Sequence, residues 1–98
     1  MFIIVSTAMP QLMIFSRHAR QRFHERIVKK VEPGYDFDDF VGDLKTSEYQ
    51  SRLKTKKGSW KINTILNFTN SCGKKRTLEV VLVVCDRFQT VITLWTLT

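Results

Sequence analysis

At 98 residues, with 43% hydrophobic and 26% charged side chains, the chain holds one core and not two, and its composition fits neither wholesale disorder nor a large enclosed substrate chamber. No apolar run approaches the ~18–20 residues of a transmembrane helix, so no membrane partner is expected. The net charge is +7 and unevenly spread: residues 1–31 carry six basic side chains and one acidic, 32–50 one basic and six acidic, 51–76 eight basic and none acidic, and 77–98 one basic and two acidic. Two basic blocks around an acidic one favour a polyanion on one face, nucleic acid above all.

In chain order, residues 1–12 read as an N-terminal extension and 13–98 as a single domain. The run Phe2-Ile3-Ile4-Val5 is a candidate short strand, interrupted by Pro10. It has no basic residue ahead of it and is too short for a secretory h-region, so no signal peptide is expected. Met13-Ile14-Phe15 is a second short extended piece. Ser16 is a good N-cap, and a helix is predicted from Arg17 to about Val31, stopped by Pro33-Gly34. A second helix starts at Asp36, with Asp38 and Asp39 at the positive end of its dipole, and ends near Lys45–Ser47. Phe37, Phe40, Val41 and Leu44 give it an apolar stripe. The period then changes to two, with strands predicted at 49–54, 60–68, 78–85 and 90–97. Their short connections imply antiparallel pairing. The expected fold is α+β, with two N-terminal helices packed on a three- to four-stranded antiparallel meander sheet and 78–85 as an internal strand. Phe23, Ile27, Phe37, Phe40, Leu44, Val80, Leu82 and Val84 are the expected core.

A P-loop, a dinucleotide-binding glycine pattern and a G-x-S-x-G elbow are all missing, and Cys72 and Cys85 fit no metal spacing. No metal and no cofactor are expected, and two reduced thiols suit a cytoplasmic protein. What stands out is the run from Ser16 to Arg26. With about 100° per residue and His18 at zero, Arg22 falls near 40° and Arg26 near 80°, beside the apolar positions Ala19, Phe23 and Ile27 near 100–180°. His18, Arg22 and Arg26 therefore form one ridge, and His24 points elsewhere, near 240°. Cleaving RNA through its own 2′-OH needs a proton donor or acceptor and cations for the developing phosphate charge, and this ridge supplies both types. The competing reading is structural: boundary arginines cover apolar surface with their stems.

The run His18-Ala19-Arg20-Gln21-Arg22, with Arg26-Ile27 after it, resembles the H-A-x-x-R-x-x-x-R opening of small bacterial and phage proteins grouped with the RelE/ParE-like toxins, within the wider barnase–EndoU–colicin–RelE fold. Val91-Ile92-Thr93-Leu94-Trp95, after a loop beginning at Asp86, resembles the closing strand of that family. The resemblance spans roughly residues 13–97 and is specific only at these two ends. It implies a toxin-like protein whose catalytic set is His18, Arg22, Arg26 and Thr93, and whose protein partner is an acidic antitoxin or a host protein. For nucleic acid, the candidate contacts are Arg52, Lys54, Lys56, Lys57 and Lys61, then Lys74, Lys75 and Arg76, with Trp95 placed to stack a base. The leading expectation is a metal-independent endoribonuclease acting on RNA in the cytoplasm. The alternative is a non-catalytic phage or bacterial effector that binds RNA or inhibits a host protein.

Overall fold

The computed structural model describes residues 14–85, 87 and 90–97. The 1–12 extension, its candidate strand and Asp86 lie outside these residues. The described chain runs β1 (Ile14–Phe15), α1 (Arg17–Phe23), a π-helical turn (His24–Val28), α2 (Phe37–Thr46), β2 (Tyr49–Lys54), β3 (Trp60–Thr69), β4 (Lys75–Val84) and β5 (Thr90–Thr96).

The architecture departs from the expected one. The sheet has five strands in the order β1-β5-β4-β3-β2, and it is mixed. β1 runs parallel to β5, pairing Ile14 with Thr90 and Phe15 with Val91, whereas the other neighbours are antiparallel. The helices thus lie between strands of one sheet and do not precede an antiparallel meander. Two residues are too few to display a period of two, so β1 carries no strand signal of its own; only its placement beside the last strand defines it.

Ser16 caps α1 as its sequence implies, its Oγ accepting from the Ala19 amide at 3.0 Å. The predicted single helix to Val31 is interrupted. From His24 the bonds widen to five residues, with the Lys29 amide donating to the His24 carbonyl and the Glu32 amide to the Ile27 carbonyl. The spacing of the apolar residues explains this. Phe15, Ala19, Phe23 and Ile27 recur every four residues, which drifts by about 40° per step on an ideal α-helix. A wider turn cancels the drift and returns Ile27 to the core, where it is fully buried. In α2, Asp36 accepts from the amides of Asp38 and Asp39, and Phe40 and Leu44 face inward.

β3 and β4 pair without interruption from Trp60↔Val84 to Thr69↔Lys75. Ile62, Thr64 and Leu66 of β3 and Leu78, Val80, Leu82 and Val84 of β4 point to the helix side and are buried. All the expected core residues are buried except Phe37, which is half-buried. Phe15, Phe23, Tyr35, Phe37 and Phe40 meet at angled ring contacts under the helices, and Tyr35 stacks on Phe68 at 4.4 Å. Full burial of a side chain such as Phe40 contributes about 1.5–3 kcal/mol. Among the described residues, no helix is long and apolar enough to cross a membrane.

Candidate active site and nucleic-acid interface

β1 pairs only with Thr90 and Val91, so among the described residues no strand lies beside β5 from Ile92 onward on that side. α1 lies along that edge and closes it with side chains. The Ser16 amide donates to the Val91 carbonyl at 3.0 Å, and the Ser16 hydroxyl donates to the Ile92 carbonyl at 2.9 Å. One turn past α1, Arg26 Nη1 donates to the Leu94 carbonyl at 3.0 Å. An unpaired strand edge invites other chains, and these contacts occupy it.

On the exposed side of the same helix, Arg22 joins two groups. Its Nε donates to His18 Nε2 at 3.3 Å, and its Nη1 reaches Glu25 Oε2 at 2.8 Å. Glu25 also accepts from the Gln21 amide at 2.9 Å. The Gln21 amide and then the Arg22 guanidinium hold the Glu25 carboxyl below its usual range, so it is ionised at neutral pH. His18 accepts at Nε2, which in a neutral imidazole puts the proton on Nδ1. The result is an imidazole, a guanidinium and a carboxylate in one connected row.

His18 and Arg22 are therefore together, as their spacing implies. Arg26 is not part of that contact; the π-turn directs it to the β5 backbone. Thr93 sits between Ile92 and Leu94, whose carbonyls anchor α1, yet it pairs with Val83 and points to the sheet face without helices. Among the described residues, no hydrogen bond links Thr93 to His18, Arg22 or Arg26. His24 is on the other flank of the helix, lining a small cavity with Arg20, Tyr35 and Asp36. Glu25 is the residue that sequence reading missed. Its signal was present in the three-residue spacing from Arg22.

The nucleic-acid candidates fall in three places. Arg52 and Lys54 lie over the Trp60 ring, at 4.6 and 4.7 Å from its centroid, on the helix side of the sheet. Lys56 and Lys57 are exposed in the β2–β3 turn just beyond them. Lys61 lies over Trp95, at 5.5 Å, on the opposite face. At the far end of the sheet, Lys74 and Lys75 are exposed, but Arg76 is committed to Glu32, with Nε–Oε1 at 3.3 Å. That far end also holds a cavity of about 350 Å³ whose lining includes Glu32, Asp36, Asp39 and Asp43. The two sheet ends are thus unequal. Cross-strand partners Lys54, Trp60, Val84 and Val91 lead across the near end to Ser16 and exposed Arg17, a span of about 20 Å. Lys56, Lys57 and Arg17 bracket that end. Among the described residues, no group of His, Cys, Asp and Glu is placed to hold a metal ion.

No family model matches the chain, and no curated protein and no solved structure matches it.

Proposed function

We propose that the protein is a small RelE/ParE-like toxin that grips RNA at its basic sheet end and cleaves it, without a metal, along the α1 ridge. The observation that carries the reading is the Arg22 guanidinium, in contact with both His18 Nε2 and the Glu25 carboxylate. RNA cleavage by the adjacent 2′-OH requires a base for that hydroxyl, an acid for the leaving 5′-oxygen and a cation on the phosphate. Glu25, held ionised, is the base that takes the 2′-OH proton, His18 as imidazolium is the acid that gives a proton to the leaving 5′-oxygen, and Arg22 stands between them as the cation. A bound phosphate competes for Arg22 and draws it off His18, which leaves Nε2 to carry the proton it delivers. Arg17, Lys56 and Lys57 hold the flanking phosphates. Thr93, on the far face of β5, plays no part in this scheme. The cytoplasm of a bacterium, or of a phage-infected cell, is where such an activity arrests growth, and an acidic antitoxin is the partner that would restrain it.

Arg26 favours a second reading. One of the two cations of the ridge is spent on the Leu94 carbonyl and the other is neutralised by Glu25, as in a helix fitted to its sheet. On that reading the protein binds RNA, or inhibits a host protein, without cutting anything.

The test is purified protein with RNA in EDTA. Cleavage leaving 2′,3′-cyclic phosphate ends is expected, reduced about 10²–10⁴-fold by His18→Ala, with Glu25→Gln also impaired. His24→Ala stays near wild type. Binding without cleavage in the wild type selects the second reading, and unchanged cleavage in His18→Ala eliminates the mechanism.

A further inference from the structure

The sheet has a second face, which the ridge does not use. Lys61, Asn63 and Ile65 of β3, Glu79, Val81 and Val83 of β4 and Thr93 and Trp95 of β5 alternate with the core positions and point away from the helices. Among the described residues, nothing packs on this face. Large exposed apolar side chains nevertheless border it, Leu53 at 65%, Ile14 at 55% and Leu97 at 51% exposed, and Ile92, at 40%, lies in the β5 strand beside it. Leu53 pairs with Lys61, Ile14 precedes inward-facing Phe15, Leu97 follows core-side Thr96, and Ile92 is the extra residue of the β5 bulge. Val81, at the centre, is only 1% exposed, sheltered by its neighbours on this face. A solvated antiparallel face ordinarily carries polar residues; this one mixes Ile65, Val81, Val83 and Trp95 with Asn63 and Thr93, and holds one cation, Lys61, and one carboxylate, Glu79, near its middle.

We propose that this face is where two copies of the chain associate. The charges argue for a second copy over any other occupant. The central row across the strands is Ser51, Asn63, Val81 and Trp95. Lys61 lies one outward-facing position to one side of it, and Glu79 one to the other. A two-fold axis along that row lays Val81 near its own copy and turns the Lys61 side of each sheet onto the Glu79 side of its partner. A two-fold interface must be complementary to itself, and this arrangement meets the condition twice, with one Lys61–Glu79 pair on each side of the axis. RNA would find in Glu79 a repelling charge at the centre of its track. The proposal is independent of catalysis on the ridge, since the ridge lies at the β5 edge on the helix side.

The experiment is sedimentation of the full chain across a concentration series. The wild type is expected to dimerise. Lys61→Glu and Glu79→Lys each replace two attractive pairs with two repulsive ones and are expected to weaken the dimer about a hundredfold or more. The double exchange, Lys61→Glu with Glu79→Lys, restores it. Circular dichroism of each variant keeps folding separate from association. A monomeric wild type, unaffected single variants, or a double exchange no tighter than the singles would each overturn the proposal. So would a wild type whose dimer dissolves when RNA binds over Trp95.

Discussion

Two arginines four residues apart on one helix do different work. Arg22 faces solvent and links His18 to Glu25, whereas Arg26 completes the hydrogen bonding of a strand edge. Substitution separates them. Arg22→Lys keeps the charge but loses the fork that reaches two partners, so cleavage falls while urea denaturation moves little. Arg26→Met keeps the apolar stem and removes the donor to Leu94, so stability falls by about 1 kcal/mol and activity follows only the folded fraction. Equal effects of both on cleavage at full stability would return Arg26 to the site. The pairing of His18 with Arg22 was legible because both precede the π-turn, where 100° per residue holds. Arg26 was misplaced because it follows the change of pitch, which the ideal angle does not contain.

Elements with a clear period were legible: α2 from its Asp36 cap and apolar stripe, and β2 to β5 from their alternation. β1 was legible as an extended piece at 13–15 but not as a strand of the sheet, since its pairing is set by a partner 76 residues away. That one omission changed the sheet from antiparallel to mixed and moved the helices from ahead of the strands to between them. The link between the π-turn and α2 is held in ways no local pattern announces. Tyr35 donates its hydroxyl proton to Asp43, and burial, then that bond, raise the phenol well above its ordinary range. The unfolded phenol ionises near pH 10 while the folded one stays protonated, so stability is full below about pH 10 and declines as pH rises beyond it. Denaturation measured through the alkaline range should show that decline, and Tyr35→Phe should flatten it while costing about 1 kcal/mol at neutral pH.

At the scale of the whole molecule, charge is unequal between the ends of the sheet, although Lys74 and Lys75 stay exposed at the acidic one. Arg17, Lys56 and Lys57 gather where β3 begins, and the carboxylates of Glu32, Asp36, Asp39 and Asp43 where it finishes. A polyanion is steered to the first end and turned from the second. RNA affinity should therefore fall linearly with salt on a logarithmic scale, and Lys56→Gln and Lys57→Gln should each make that slope shallower by about 0.7, the share of one phosphate. Lys74→Gln, beside the acidic cavity, should leave the slope unchanged. The charge blocks along the chain imply basic loops at both ends. Arg76 is instead offset by Glu32, a pairing across 44 positions that only the fold creates.

The anchoring of α1 on β5 also governs when the ridge comes into being. A ribosome delivers His18 and Arg22 some seventy residues before Val91, Ile92 and Leu94, so the helix has no edge to rest on until β5 has emerged. Contacts closing so long a loop are the slow ones to form. A nascent chain thus carries His18 and Arg22 past the translation machinery before the scaffold that aligns them exists, and on the proposed function the cell making this protein is spared its activity until β5 has joined the sheet.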